Sequence, residues 1–162
     1  MSAQVPSIYS PRLDPIRMTV VGRLAALAVS LACFAVLLQA LRLVPSPTGL
    51  GTHTQMGLQP CYLITLCGLP CPTCGMTTSF AWFARGNIAA SFYVQPMGCV
   101  LAVLTVVTFW TGLYIAATGR AAYRSILFIP ARYYILPLLG WALAAWGWKI
   151  FIHTSGIDGW HA

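Results

Sequence analysis

Four of the six cysteines lie close together in the sequence and offer sulfur chemistry: Cys61, Cys67, Cys71 and Cys74. Their spacing is C-x5-C-x3-C-x2-C, and it ends in the string GLPCPTCG. If Pro72 opens a helix, Cys71 and Cys74 lie one turn apart, and their sulfurs share a face within disulfide range. The helix N-terminus then favours a thiolate at Cys71. The same pair can also form half of a tetrahedral zinc site.

The cluster allows three interpretations, which the spacing leaves open. In the first, one or two disulfides staple a loop, as expected in an oxidising compartment. In the second, up to four thiolates bind a metal ion, with zinc as the cofactor. In the third, Cys71 and Cys74 exchange disulfides, although the sequence lacks the β-α-β pattern of a thioredoxin-like fold. The other two cysteines, Cys33 and Cys99, lie in apolar runs and are expected to behave as small apolar residues.

The amino-acid composition indicates whether the chain is soluble or embedded in a membrane. Apolar residues make up 59% of the 162-residue chain and charged residues only 7%, against roughly 25% in an average soluble domain. This excludes a soluble globular enzyme, a disordered chain and a collagen-like chain, and it predicts an integral membrane protein whose partner is the lipid bilayer. The formal charge is +7, but the basic residues are scattered at the ends of apolar runs. Nucleic-acid binding, which needs clustered charge, is therefore not expected.

Three apolar runs are long enough to cross a bilayer, which takes ~20 residues of helix. They cover 24–44, 97–118 and 133–152. Pro96 suits the first turn of the second run and Gly119 its end. Trp146, Trp148 and Lys149 suit interfacial anchoring at the end of the third. The sequence thus predicts an all-α membrane domain over 23–152, with a cytoplasmic tail over 1–22 and a short tail over 153–162.

The cysteine-rich segment, 56–85, is predicted not to span. Pro70 and Pro72 remove backbone donors and stop a helix near Gly68. Residues 56–70 are expected to form a loop or short half-helix, and Pro72 to Ala84 a short helix carrying the CPxCG motif. Such an insertion is re-entrant or lies along the interface, where protein or water satisfies its backbone.

The distribution of basic residues favours three spans and a cytoplasmic N-terminus in the inner membrane, with the cysteine segment extracytoplasmic. Six of the nine basic residues then lie inside: Arg12, Arg17, Arg23, Arg120, Arg124 and Arg132. If 61–84 spanned as well, the split would be five to four. Arg120, Arg124 and Arg132 are expected to contact anionic lipid. A cleaved signal sequence is the alternative for the first run, but its apolar core is longer than usual and no A-x-A-like site follows.

The sequence offers little for catalysis. It contains no glycine-rich phosphate loop, no H-E-x-x-H and no paired carboxylates, so enzymatic activity is not favoured. His53 beside a cysteine is the one arrangement left for a thiol catalyst. Small residues four apart favour helix packing instead, at Gly112 with Ala116 and at Gly140 with Ala144.

The run from Cys61 to Pro96 resembles a bacterial membrane family, domain of unknown function 2752 (DUF2752). The family shows a leading cysteine, then G-x-P-C-P-x-C-G-x-T-R, then R-G and a later N-P. The matching residues here are Cys61, Gly68, Pro70, Cys71, Pro72, Cys74, Gly75, Thr77, Arg85, Gly86 and Pro96. The resemblance implies a small polytopic membrane protein without an established activity.

Two positions depart from that family pattern. Thr78 stands where the family has arginine, so a role that needs a cation there does not carry over. Cys67 replaces the usual threonine, which implies a shared core of Cys61, Cys71 and Cys74 and weakens a four-thiolate metal site. In that case Cys67 is available to pair with Cys61.

The predicted function is a structural or partner-binding membrane module whose loop is stapled by disulfides or a metal. Its partner is another membrane protein or a second copy of the chain. The alternative is a membrane thiol–disulfide or metal-handling protein acting through Cys71 and Cys74. Thr77, Thr78 and Ser79 are expected to satisfy nearby backbone groups. Arg85 is expected to complement the helix dipole or, alternatively, to bind a lipid phosphate.

Overall fold

The computed structural model describes residues 18–120 and 132–160, and within them the chain is all-helical, without strands. The elements are α1 (Val20–Arg42), a 3-10 helix (Thr52–Met56), α2 (Tyr62–Cys67), α3 (Met76–Ala84), α4 (Ile88–Val94), α5 (Pro96–Thr118) and α6 (Arg132–Thr154). The all-α class predicted from the sequence is confirmed.

Three of these helices are long and apolar enough to span a membrane: α1, α5 and α6, each of 23 residues. At 1.5 Å per residue each is roughly 35 Å long, enough to cross a hydrocarbon core of ~30 Å. The three predicted spans are therefore confirmed. Helix α1 begins at Val20 rather than Leu24, where Thr19 caps it by accepting a hydrogen bond from the Gly22 backbone N–H.

Helices α1 and α5 form an antiparallel pair. The Met18 N–H at the start of α1 donates to the Gly119 carbonyl at the end of α5, over 2.8 Å. Arg23 donates to the last carbonyls of α5, those of Ala116 and Ala117, at 2.9 and 3.1 Å. An arginine at a helix C-terminus satisfies carbonyls that have no partner within the helix. The segment that connects the two helices, residues 43–95, therefore lies at the opposite end of the pair.

The insertion between α1 and α5 consists of helices too short to span, α2, α3 and α4, with six, nine and seven residues. The prediction that a helix begins at Pro72 is wrong, because residues 72–75 form a turn and α3 begins at Met76. The cause is Gly75, whose φ of +84° lies in the left-handed region and interrupts a continuous helix. Helix α4 was not predicted.

Candidate metal centre

Three cysteine sulfurs converge in the insertion. Cys61 is the N-cap residue of α2, whereas Cys71 precedes the turn before α3 and Cys74 lies within it. The three Sγ atoms all lie within 4.8 Å of one another, and those of Cys71 and Cys74 are 3.2 Å apart. The cysteines nearest in sequence thus meet as the spacing predicted, and Cys61 joins them from the start of a separate helix.

The turn that carries Cys71 and Cys74 is fixed by its own backbone. The Cys74 N–H donates to the Cys71 carbonyl over 3.0 Å, and the Met76 N–H to the Thr73 carbonyl over 3.1 Å. Gly75 is needed here for a second reason besides its positive φ. A Cβ atom at Gly75 would lie 3.0 Å from the Gly49 carbonyl oxygen, closer than nine in ten real Cβ contacts.

Side chains from other helices bind the carbonyls around this turn. Trp146 of α6 donates from Nε1 to the Pro70 carbonyl at 3.0 Å, and His153 Nε2 lies 3.2 Å from the Gly68 carbonyl. Gln95, which is fully buried, donates from Nε2 to the Pro72 carbonyl at 2.9 Å. The prolines that stop the helix therefore leave carbonyls that distant side chains satisfy.

The hydroxyls of α3 connect the turn to its neighbours. The prediction of local bonds for these hydroxyls is wrong for Thr78 and Ser79, whose partners are distant in sequence. Thr78 Oγ1 lies 2.7 Å from Thr52 Oγ1 of the 3-10 helix, and both residues are buried. Ser79 donates to the Ser91 carbonyl of α4 over 2.8 Å. Buried hydroxyls need partners, and these pairs fix α3 against the elements on both sides.

A buried ion pair lies next to Gly75, in the turn that carries the cysteines. Lys149 of α6 is fully buried, and its Nζ is 3.0 Å from Asp158 Oδ1. The same carboxylate binds His153 through Oδ2. The Lys149 ammonium lies beside Gly75, 3.4 Å from the position a Cβ atom would take there. Lys149 thus lies beside the turn that carries Cys71 and Cys74 (the sulfur turn). The sequence predicted an interfacial anchor here, but the side chain is buried within the protein.

The surroundings of Cys61 and Cys74 shift the pKa values of the two thiols in opposite directions. Burial raises the pKa of Cys61, but hydrogen bonds from the Ile64 backbone N–H and from the neighbouring thiols outweigh this and lower it to about 7. Burial, together with hydrogen bonds to Cys71 and Cys61, holds the pKa of Cys74 well above its usual range. Near neutral pH Cys61 is therefore partly thiolate, whereas Cys74 is held as a thiol.

The remaining predicted residues lie outside this group of sulfurs. Cys67, at the end of α2, is exposed, and all six cysteines are free thiols. Arg85 ends α3 and donates to the Ala81 carbonyl at 3.1 Å, as expected for a residue that complements the helix C-terminus. Arg120 is exposed. Arg124 and the Arg132 side chain lie outside the part of the chain that the structure describes.

Sequence reasoning missed Lys149, Asp158, His153 and Gln95 as neighbours of the cysteines. One signal was present: Lys149 and His153 are four residues apart and therefore share a helix face, and Asp158 is one of only two acidic residues. Nothing comparable marked Gln95.

Comparison with known families supports the resemblance drawn from the motif. Residues 61–109 match the model of a family described as protein of unknown function (DUF2752). The matched segment contains all three convergent cysteines and ends within α5, before α6 begins. No match was found among curated proteins or solved structures.

Proposed function

We propose that this chain is a small multi-pass membrane protein in which Cys61, Cys71 and Cys74 bind a divalent metal ion of the zinc class. The observation that carries the proposal is the convergence of three sulfurs within 4.8 Å. Three thiolates at about 2.3 Å from a zinc ion, in tetrahedral geometry, lie roughly 3.8 Å from one another. The 3.2 Å between Cys71 and Cys74 and the 4.8 Å limit for the whole group are both within about 1 Å of this value, so only small movements are needed to bind the ion.

The number of sulfurs favours a metal over a plain disulfide staple. A disulfide joins two sulfurs and leaves the third as a thiol, whereas a metal ion uses all three. The N-cap position of Cys61 also suits a metal site, because the Ile64 N–H of α2 stabilises the thiolate form that a metal requires there. Bound metal would clamp the start of α2 to the turn before α3.

The proposed role follows from this clamp. A metal-stapled insertion at the bilayer border forms a rigid surface that serves as a structural or partner-binding module. We place this surface on the extracytoplasmic side of the inner membrane, because that orientation leaves most basic residues in the cytoplasm. The match to a family of unknown function is compatible with this role and names no activity.

Metal analysis of the full chain, purified in detergent under reducing conditions, tests the proposal. We expect about one zinc per chain, and loss of the metal in the single variants Cys61→Ser, Cys71→Ser and Cys74→Ser. Cys67→Ser and Cys33→Ser are the matched controls and should retain the metal. Failure of the wild type to bind zinc or cobalt, or equal binding by all five variants, would overturn the proposal.

A second candidate, thiol–disulfide exchange, rests on the 3.2 Å between the sulfurs of Cys71 and Cys74. A thiolate of the pair would attack a substrate disulfide, and the other thiol would release the mixed disulfide, so that the substrate gains two thiols as the protein gains one disulfide. Thiol labelling in intact membranes separates the candidates. A substantial Cys71–Cys74 disulfide there favours exchange, whereas fully reduced cysteines with bound zinc favour the metal site.

A further inference from the structure

Three thiolates leave one position of a tetrahedral metal open, and His53 lines the cavities that border the sulfurs. His53 lies in the 3-10 helix, next to Thr52, whose hydroxyl is paired with Thr78 of α3 over 2.7 Å in the buried interior. The following Thr54 donates through its N–H and its hydroxyl to the Gly51 carbonyl, at 2.9 and 2.8 Å. The backbone that carries His53 is therefore held against the helix that follows the cysteine turn.

Two cavities border the sulfurs, and His53 lines both. One cavity, of about 310 Å³, includes Cys71 in its wall, and the other, of about 270 Å³, includes Gly75. The residues common to the two walls are His53, Cys61 and Cys74. His53 thus lies beside the cluster, outside the 4.8 Å group of sulfurs, and is half-buried. When a metal binds, the His53 ring must move toward the sulfurs while Nε2 keeps its hydrogen bond to the Gln59 carbonyl.

The hydrogen bond of His53 prepares one ring nitrogen for a metal. Nε2 lies 3.0 Å from the Gln59 carbonyl oxygen, which can only accept, so Nε2 carries the hydrogen. In the neutral ring Nδ1 then holds the free lone pair. Metal-binding histidines commonly donate their second ring N–H to a backbone carbonyl in this way, which fixes the tautomer.

We infer that His53 Nδ1 is the fourth ligand, which completes a closed three-cysteine, one-histidine site for a zinc-class ion. This inference rests on the proposed metal site. A closed set of four protein ligands is typical of structural zinc, whereas a catalytic zinc keeps one position for water. The ligand set thus deepens the proposed structural role and disfavours a hydrolytic one.

Cobalt(II) substitution of the full chain in detergent tests the inference, since its charge-transfer absorbance scales with the number of thiolates and its visible bands report tetrahedral geometry. We expect a three-thiolate, four-coordinate spectrum for the wild type. His53→Ala should weaken cobalt binding more than ~10-fold and change the visible bands, as expected when a ligand is replaced by water. His53→Cys should restore tight binding and raise the charge-transfer absorbance by about one third, from three thiolates to four.

Gln55→Ala provides the matched control, because Gln55 lies on the same 3-10 helix but bonds to Val44. This variant should bind cobalt like the wild type. A wild-type spectrum and affinity in His53→Ala, or equal losses in His53→Ala and Gln55→Ala, would overturn the fourth-ligand assignment while the three-thiolate site stands. A wild type that binds no cobalt would instead overturn the proposed metal site itself.

Discussion

Helices α1 and α5 pack closely along their length, whereas α6 is attached to the rest of the described structure mainly near its C-terminal end. In the α1–α5 pair, Gly112 brings the backbones so close that a Cβ atom there would lie 2.9 Å from the Ala26 carbonyl oxygen. On α6, Gly140 and Gly147 have open space where a Cβ would be. The polar contacts of α6 to other elements instead come from residues in its C-terminal half: Trp146, Trp148, Lys149 and His153.

This difference shows two ways of fixing an apolar helix. Lipid tails are as apolar as leucine, so hydrophobic contact alone gives two helices in a bilayer little reason to associate. The α1–α5 pair uses close backbone approach, which maximises dispersion contacts. Helix α6 uses hydrogen bonds from Trp146 and His153 to the turn that carries the sulfurs. Its buried Lys149 is neutralised by Asp158, which follows α6 in the chain. The two regions should therefore respond to different substitutions.

The largest effect should come from Asp158→Asn, which removes the carboxylate that faces the fully buried Lys149. Breaking a buried ion pair from one side costs about 3–5 kcal/mol, because it leaves an uncompensated charge. We expect this loss in the free energy of unfolding in detergent and increased protease access to the end of α6. The double variant Lys149→Met with Asp158→Asn should recover part of the loss. Wild-type stability of the single variant would show that Asp158 is not needed to compensate the buried Lys149 charge.

A smaller effect is expected for Gly112→Ala, which tests the close approach of α1 and α5. The added carbon meets the Ala26 carbonyl at 2.9 Å and the Ser30 Cβ at 3.2 Å, so the helices must separate. Overpacking of this kind costs about 1–3 kcal/mol. Gly140→Ala is the matched control: it adds the same atom to a spanning helix in open space and should not destabilise. Equal stability of the two variants would show that the contact between α1 and α5 tolerates the extra carbon.

Trp146→Phe should have a moderate effect, confined to the α6 attachment. The substitution keeps an aromatic ring but removes the indole N–H that donates to the Pro70 carbonyl at 3.0 Å. Loss of one such hydrogen bond costs about 1 kcal/mol. We expect thiol reagents to label Cys71 and Cys74 faster in the reduced, metal-free variant than in the wild type. The labelling rate shows whether the loosened region is the sulfur turn. Unchanged labelling would mean that this bond does not hold the turn.

The smallest effect is expected for Ser30→Ala in the α1–α5 pair. Ser30 is buried and its hydroxyl donates to the Phe109 carbonyl over 2.9 Å. Hydrogen bonds between membrane helices contribute about 0.6 kcal/mol on average. The unfolding free energy should fall by this amount, less than in Gly112→Ala. If Ser30→Ala lowered the free energy of unfolding more than Gly112→Ala, the hydrogen bond would stabilise the α1–α5 pair more than the close backbone approach does, contrary to our expectation.

The spans could be predicted from the sequence because the length and polarity of an apolar run directly reflect the thickness of the bilayer. The meeting of Cys71 with Cys74 could also be predicted, since two residues between cysteines keep their sulfurs close in a turn as well as in a helix. The prediction of a helix from Pro72 failed because Gly75 takes a left-handed conformation that breaks the helix. Helix α4 carried a readable signal in Asn87, whose side chain caps it by accepting from the Ala90 N–H at 2.9 Å.

The partners of Lys149 could not be predicted from the sequence. A lysine beside tryptophans at the end of an apolar run has the composition of an interfacial anchor, and its pairing with Asp158 depends on how the chain folds back after α6. The convergence of Cys61 with the other two sulfurs was likewise suggested by the family resemblance and not by the loose x5 spacing. Contacts of this kind are set by tertiary packing, which leaves no local pattern in the sequence.

The carbonyls around the sulfur turn have a consequence for biogenesis. Two of them, at Gly68 and Pro70, are bound by side chains of the last helix, which the ribosome makes after every other described element. A nascent chain with only α1 to α5 has the three cysteines but lacks these two donors. These two carbonyls of the turn can therefore be satisfied by their donors only after the third hydrophobic segment has been synthesised and has docked.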